Sequence, residues 1–271
     1  MWFIKPSFTN KGLNTRSTLQ VPIYPASLGK VILDFQSGAL STSVIPEVNI
    51  KLGSRFVWGP IPASVLQAIN QYNGGNPAST SFELNLFDQS SAEALWKEIG
   101  AVDLPSLNDP VFVEVVNTAS SGTPTLDCYL GLTARQVPDA KDPNSQVMRK
   151  LKYETLPSTG TTKITWNPKY NGAKIPRIHF YCPGATIQSV EVKRNSTLIW
   201  DNVSAAVNSY NLVSLGKVPQ SNFYHLDFVA DRIGQNFLDT AGAQALEINI
   251  YLSTAAPVTA AVELLDVPYN N

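Results

Sequence analysis

The feature that most constrains this chain is a long segment whose apolar pattern occurs twice. "IPEVNIKLGSRFVW" occupies positions 45–58 and "IQSVEVKRNSTLIW" occupies positions 187–200, an offset of 142 residues. Each copy alternates apolar and polar residues, as half-buried β-strands do, and ends in a tryptophan, Trp58 or Trp200. A repeat of this length predicts two copies of one domain in a single chain.

A short amphipathic helix is predicted after each strand segment. The hexapeptides "AINQYN" (68–73) and "AVNSYN" (206–211) match at an offset of 138, which predicts four extra residues in the first copy. Prolines precede the first helix and Asp201-Asn202 is the predicted cap of the second. The predicted apolar stripe, spaced i, i+4, i+7, is Val65, Ile69 and Tyr72 in the first copy and Val203, Val207 and Tyr210 in the second.

The correspondence continues on both sides of the helices. It includes one pair of segments upstream, 19–35 with 164–180 at offset 145, and three pairs downstream, 82–87 with 224–229, 111–116 with 245–250 and 123–132 with 256–265. Alternating apolar letters are common in any one segment. The same segments in the same order indicate a tandem duplication.

The strands are five to seven residues long between Gly, Pro and Asn, so the fold class is all-β. About eight strands and one helix in each copy predict two tandem eight-stranded jelly-roll β-sandwiches. The predicted domains are an N-terminal arm (1–16), a first jelly roll (17–135), a connection (136–160) and a second jelly roll (161–271).

Composition narrows the function. The net charge is −1 and only 15% of residues are charged, with no basic block, which argues against nucleic-acid binding. Cys128 and Cys182 lie at non-equivalent places in the two copies, so we expect free thiols and a reducing compartment. No signal-peptide pattern and no transmembrane helix is expected, which predicts a soluble protein.

Enzyme motifs are absent: the sequence has no G-x-S-x-G, no phosphate-binding glycine loop and no H-E-x-x-H. Only two histidines occur. His225 and Asp227 are two residues apart on a predicted strand and could share a metal, but an outward polar face is the favoured role. His179 aligns with Asp34 at offset 145 and is also predicted to face outward. We therefore predict no catalytic, cofactor-binding or metal-binding residues.

Two acidic pairs leave a structural calcium site as an alternative to ordinary solvated turns. They are Asp139 with Asp142 and Asp103 with Asp109.

The repeated aromatic residues are predicted to be structural. Trp58 and Trp200 could form a sugar-stacking platform, but their equivalence in the two copies favours the same packing role in both. The repeated tyrosines of the hexapeptides receive the same interpretation. Two sequons, at Asn195 and Asn202, match the glycosylation pattern and are interpreted as coincidental.

The second copy carries a family resemblance. "IQSVEVKRNSTLIWDNVSAAVNSYNL" (187–212), "GKVPQSNFYHLDFV" (216–229) and "ALEINIYL" (245–252), set in two tandem jelly rolls, resemble the double-jelly-roll major capsid proteins of the tectivirus–adenovirus lineage. The nearest likeness is to the corticovirus type from membrane-containing bacteriophages.

The resemblance implies a homotrimer whose six jelly rolls form a pseudo-hexagonal capsomer. Such capsomers tile an icosahedral shell over an internal lipid membrane, beside vertex and minor capsid proteins. It implies a virion location, synthesis in the host cytoplasm and no active site. The weakly charged composition agrees, because it lowers repulsion between identical copies. Lys5 and Lys11 of the arm are candidate contacts to acidic lipid headgroups.

The alternative comes from another class: a carbohydrate-active double-jelly-roll protein, either a glycan-binding lectin or a glycan hydrolase. The lack of an export signal and of an acidic pair unique to one copy favours the capsid hypothesis.

Overall fold

The computed structural model describes residues 1–35, 40–75, 80–87, 99–135, 147–170, 172–233 and 236–267. The chain divides into two compact units. The first contains Met1–Gln71 and Gly75–Leu151, and the second contains Tyr72–Gly74 and Lys152–Leu264. No helix among the described residues is long and apolar enough to cross a membrane.

Nine strands and one α-helix lie in the described part of the first unit. The helix α1 (Ala63–Tyr72) follows β5, and the strands are β1 (Trp2–Ile4), β2 (Arg16–Gln20), β3 (Ser27–Asp34), β4 (Glu47–Leu52), β5 (Arg55–Ile61), β6 (Ser81–Asn85), β7 (Val102–Asp103), β8 (Val111–Val116) and β9 (Asp127–Thr133). The strand orders are β1-β9-β3-β6, with β7 also beside β3, and β2-β8-β4-β5. Two 3₁₀ turns lie at Thr42–Val44 and Leu104–Ser106.

The second unit repeats this plan. Its helix α2 (Ala205–Ser214) follows β14, and its strands are β10 (Met148–Leu156), β11 (Lys163–Trp166), β12 (Lys174–Tyr181), β13 (Ile187–Arg194), β14 (Thr197–Ser204), β15 (Phe223–Asp227), β16 (Leu238–Asp239), β17 (Leu246–Leu252) and β18 (Val258–Asp266). The orders are β10-β18-β12-β15, with β16 beside β12, and β11-β17-β13-β14. Strand β10 begins in the first unit, where Leu151 pairs with Trp58.

Each unit is a jelly roll with two sheets of four main strands, to one of which β7 or β16 adds a short fifth strand, around an apolar core, and this confirms the predicted fold class. Alternation in the sequence produces the core, because successive strand residues point to opposite faces. In β11, Ile164 and Trp166 are buried while Lys163 and Thr165 are exposed. The second core gathers such residues from β11, β12, β13, β15, β17 and β18.

A two-residue hairpin loop joins β4 to β5, and another joins β13 to β14. Gly53 has φ 58°, and the equivalent Asn195 and its neighbour Ser196 have φ 49° and 64°. Positive φ angles in two-residue loops match the twist of the paired strands, and Gly and Asn tolerate them best. The sequon asparagine Asn195 is therefore a turn residue, and its side-chain oxygen accepts from the main-chain nitrogens of Gln244 and Ala245.

The two helices occupy the same place in the two units. Helix α1 begins at Ala63 and α2 at Ala205, an offset of 142 that also relates the first residues of β6 and β15, Ser81 and Phe223. The predicted four-residue insertion is therefore wrong, and the two hexapeptides are not equivalent. A four-residue shift turns a helix by about 400°, which returns an apolar stripe to nearly the same face. The pattern alone could not distinguish the two alignments.

The offset between β3 of the first unit and β12 of the second also differs from the prediction. Leu33 of β3 pairs with Phe82, and the equivalent pair in the second unit is Phe180 of β12 with Tyr224. The offset between β3 and β12 is therefore 147, not 145. His179 consequently corresponds to Ile32, and its alignment with Asp34 is wrong.

The predicted connection between the domains covers residues 136–146, which lie outside the described residues, and strand β10. The predicted N-terminal arm contains β1, which pairs with β9.

Candidate assembly surface

Helix α2 presents an apolar face to solvent in the described chain. Val207, Tyr210 and Val213 are 61%, 79% and 59% exposed. They recur every three residues and so share one side of the helix. We call these three residues the α2 face. A tyrosine flanked by two valines, all uncovered, is typical of a surface that another molecule buries.

Local sequence determines where α2 begins and ends. The Ser204 hydroxyl accepts from the main-chain nitrogen of Val207, and Ser204 itself has extended backbone angles. Gly216, at φ 78°, ends the helix in the left-handed region. The predicted cap at Asp201-Asn202 is wrong, because β14 continues through both residues to Ser204.

Strand β14, which leads into α2, adds further exposed apolar side chains. It lies at the end of the order β11-β17-β13-β14, and Leu198 and Ile199 are both exposed. An edge strand offers unpaired main-chain groups as well as side chains. The helix that carries the α2 face therefore comes directly after an edge strand with exposed apolar side chains.

Helix α1 shows that the exposure of α2 is not inherent in the fold. Val65 is equivalent to Val207 and is only 4% exposed, and Tyr72 at the end of α1 is completely buried. The predicted buried stripe is confirmed in α1. In α2 it is wrong, since Val207 and Tyr210 are exposed and Val203 lies in β14.

The inner side of α2 rests on a polar interior. Asn208 and Leu212 are its buried residues. The Asn208 side chain donates to the main-chain oxygen of His225 at 2.8 Å, and Leu212 packs with Tyr72 and Ala230. The second unit thus supports α2 by one buried hydrogen bond and a small apolar cluster.

Below α2 lies a buried ionic cluster that joins three strands. Arg177 of β12 contacts Asp227 of β15 at 3.0 Å and Glu263 of β18 at 3.2 Å. The Tyr72 hydroxyl donates to Asp227 at 2.8 Å. Burial and the neighbouring Asp227 carboxylate raise the pKa of Tyr72. Each carboxylate has a cationic partner, as burial of charge requires.

Both histidines of the chain lie in this interior, facing each other. The Nδ1 atoms of His179 and His225 are 2.7 Å apart, and both residues are buried. The predicted outward, polar-facing positions of His179, His225 and Asp227 are therefore wrong. The correct offset between β3 and β12 was the signal that could have predicted the burial of His179. At an offset of 147 residues, His179 aligns with the half-buried Ile32 and not with Asp34.

Asp227 also has its oxygens engaged by protein groups, since Oδ1 accepts from the Val229 main-chain nitrogen and Oδ2 from Arg177 and Tyr72. Among the described residues, no three histidine, cysteine or acidic side chains are placed to hold a metal ion.

The acidic pairs considered for calcium have different placements. Asp139 and Asp142 lie outside the described residues. Asp103 is buried, and both of its carboxylate oxygens accept from Arg135, at 2.9 and 2.8 Å. Burial opposes ionisation of Asp103, but hydrogen bonds from Arg135 and Ser106 outweigh it and lower its pKa. Calcium binding stays a prediction.

The repeated tryptophans pack inside their own units, as predicted. The Trp58 indole is buried and donates to the Arg149 main-chain oxygen at 3.0 Å. The Trp200 indole packs against the second core and donates to the Tyr224 hydroxyl at 3.2 Å. Neither ring forms an open stacking platform.

Other predicted features have definite partners in the structure. Lys5 and Lys11 both approach Asp127, at 2.8 and 3.7 Å, which offsets part of the positive charge of the N-terminal segment. Cys128 and Cys182 are buried free thiols, which confirms that they are unpaired, and burial raises the pKa of Cys128 to about 12.

Comparison with protein families identifies both halves of the chain. Residues 5–134 match the model of the viral coat protein P2 N-terminal domain, and residues 147–268 match that of the viral coat protein P2 C-terminal domain. A search of curated proteins found no match.

Solved structures share the fold across the whole chain. The major capsid protein P2 from bacteriophage PM2 is 19% identical, with a TM-score of 0.83 over 98% of this chain and 97% of that one. The STIV major capsid protein is 14% identical, with a TM-score of 0.71 over 99% and 97%. The PBCV-1 virus capsid is 9% identical, with a TM-score of 0.63 over 100% and 96%.

The double jelly roll and the match to a capsid family are thus confirmed, and the carbohydrate-active alternative has no support among these comparisons. Since the two family domains together cover nearly all of the sequence, the chain belongs to the viral coat protein P2 family and is a viral coat protein.

Proposed function

We propose that the protein assembles as a homotrimer in which the α2 face is buried against a neighbouring copy. The observation that carries this proposal is the uncovered apolar face of α2 beside the buried equivalent helix α1. A major capsid protein meets many copies of itself, so a second copy is the natural occupant of that face. Cyclic trimers are closed assemblies in which every such face is covered.

The duplication supports a pseudo-hexagonal capsomer. Two similar jelly rolls per chain give a trimer six similar units around one axis. In this proposal the capsomers tile an icosahedral shell above an internal membrane, in contact with vertex and minor capsid proteins. The chain is made in the host cytoplasm, acts without catalysis and does not bind nucleic acid, in keeping with its near-neutral charge.

Sedimentation of the full chain tests the proposal. The wild type should sediment at roughly 90 kDa, three times the 29.5 kDa chain. Tyr210→Asp places a charge in the proposed contact, and loss of such a central aromatic residue should weaken association by about 30-fold or more. A wild-type monomer at high micromolar concentration would contradict the proposal.

The matched control is Ser64→Asp. Ser64 is exposed in the first turn of α1, where a negative charge is well tolerated. This variant carries the same added charge on the equivalent helix and should remain trimeric. Equal loss of association in both variants would show that charge, and not the α2 face, determines assembly.

A further inference from the structure

The two histidines of this 271-residue chain are paired in one buried site. His179 lies on β12 and His225 on β15, directly opposite each other in the strand register. The His225 ring also stacks on Tyr72, with centroids 4.0 Å apart. In the first unit the corresponding residues are Ile32 and Glu83. The pair therefore belongs to the second unit alone.

The hydrogen bonds around the pair have only one consistent direction. The Gln220 main-chain N–H can only donate, and it points to Nε2 of His225 at 3.3 Å. His225 must then carry its proton on Nδ1 and donate it to Nδ1 of His179. His179 in turn carries its proton on Nε2, 3.3 Å from Oε1 of Glu263. Both rings are neutral in this arrangement.

An added proton disrupts this chain of bonds at either ring. On Nε2 of His225 it would face the Gln220 N–H, and on Nδ1 of His179 it would face the N–H of His225. Each case places two donors against each other in a buried site. Burial, followed by the neighbouring His179 and Lys217, lowers the pKa of His225 well below its usual value, although Glu263 acts in the opposite sense.

The charged and titratable groups around the pair come from every element that packs on it. Arg177 lies on β12, Asp227 on β15, Glu263 on β18, Tyr72 in the 72–74 segment and Lys217 after α2. Among the residues that the structure describes, two cations and two carboxylates balance, so these groups offer no surplus negative charge to accommodate a proton. Protonation of either ring adds one positive charge to this balanced set of groups.

Helix α2 is attached to the same site. Asn208 of α2 donates to the His225 main-chain oxygen, and Leu212 contacts Tyr72. The Lys217 main-chain nitrogen donates to the Leu212 oxygen, and its ammonium reaches Asn73 at 3.0 Å. Gln220, in the loop between α2 and β15, donates to His225 itself. A change at His225 thus reaches α2 through direct contacts.

We propose that the His179–His225 pair is a proton-sensitive support for α2, so that acidification releases this helix and weakens the contact between copies. The release of α2 follows from the geometry of the second unit. Only the weakened contact between copies rests on the proposed function of the α2 face.

Hydrogen exchange of the full chain at pH 7.5 and 5.5, corrected for intrinsic rates, tests the release. While α2 is docked, the buried His225 excludes the added proton. When α2 is released, His225 takes up the proton with the ordinary histidine pKa of about 6.5. Protection of the α2 amides should therefore fall about tenfold at pH 5.5. The amides in the middle of α1, which have no histidine beneath them, serve as the control and should not change. Equal behaviour of the two helices would overturn the proposal.

His225→Phe keeps an aromatic ring beside Tyr72 but cannot be protonated, and it should remove the pH response of α2. If this variant does not fold, the wild-type imidazoles give an independent result by NMR, since the chain contains only two. Their protonation should coincide with loss of α2 protection. Protonation near pH 6.5 with α2 still protected would overturn the proposal.

Sedimentation at the same two pH values separates this inference from the proposed function. A trimer at pH 7.5 that dissociates at least about tenfold more readily at pH 5.5 supports the last step, and equal association at both pH values overturns it. A monomer at pH 7.5 whose α2 still responds to acid would overturn the trimer proposal alone and support the proton-sensitive helix.

Discussion

Helices α1 and α2 have the same length and the same place in two copies of one domain, yet they have different surroundings. Val65 of α1 is buried, whereas the equivalent Val207 of α2 is 61% exposed. Position in a jelly roll therefore determines that a helix forms after the fifth strand but not what covers it. In the proposed trimer, this difference leaves an outer helix face of the second copy available for another chain.

The interiors of the two units differ in the corresponding way. Lys30 and Glu83 form a partly exposed ion pair at 3.1 Å in the first unit. At the equivalent positions the second unit has Arg177 and His225, and its Arg177 is paired with two buried carboxylates. The same two strands thus carry a solvated pair in one copy and a buried network in the other.

The largest effect is expected from Arg177→Met. It leaves Asp227 and Glu263 buried without their cationic partner, which should lower the free energy of unfolding of the second unit by about 3–5 kcal/mol. Lys30→Met, the equivalent change, removes a partly exposed pair and should cost less than about 1 kcal/mol. Hydrogen exchange under native conditions measures both units in one sample. Equal losses of stability in the two variants would show that the buried network contributes no more than the partly exposed Lys30–Glu83 pair.

A smaller effect is expected from shortening the equivalent valines. Val65→Ala removes buried methyl groups and should lower the free energy of unfolding of the first unit by about 2 kcal/mol. Val207→Ala should change stability by less than about 0.5 kcal/mol, because the side chain is exposed, and should weaken association instead. Urea unfolding and sedimentation of the two variants separate these outcomes. A stability loss in Val207→Ala as large as in Val65→Ala would contradict the comparison.

The smallest effect is expected from the short strands β7 and β16, which end in Asp103 and Asp239. Asp103 is buried against Arg135, whereas Asp239 is exposed. Asp103→Asn should lower the free energy of unfolding by about 1–2 kcal/mol at neutral pH, and Asp239→Asn by less than about 0.5 kcal/mol.

The cost of Asp103→Asn should also depend on pH. Because the pKa of Asp103 is lowered in the folded protein, its contribution is complete above the unfolded value of about 3.9 and disappears as the pH falls through the folded value. Thermal unfolding between pH 7 and 2.5 measures this. A difference between wild type and Asp103→Asn that persists at the lowest pH would rule out the ionised carboxylate as its cause.

The sequence was sufficient for the duplication, the fold class and the capsid family, because strand alternation recurs over whole segments. It was insufficient to align α2 with α1 to better than one helical turn, because residues four apart lie on nearly the same side of a helix. It also did not predict the histidine pair. His179 and His225 are 46 residues apart in the chain, and only the pairing of β12 with β15 brings their rings together. The sequence also did not predict the exposure of Tyr210. Helical spacing of apolar residues predicts a buried stripe, and whether that stripe is covered depends on neighbours that the sequence pattern does not identify.

The α2 face should be covered in the assembled protein. Hydroxyl-radical footprinting of the assembly measures this at Tyr210, which is 79% exposed in the single chain. Phe56 of the first unit, 49% exposed, is the aromatic reference. We predict that Tyr210 reacts much more slowly than Phe56 in the assembly. A Tyr210 that reacts at the rate expected for its single-chain exposure would contradict the account.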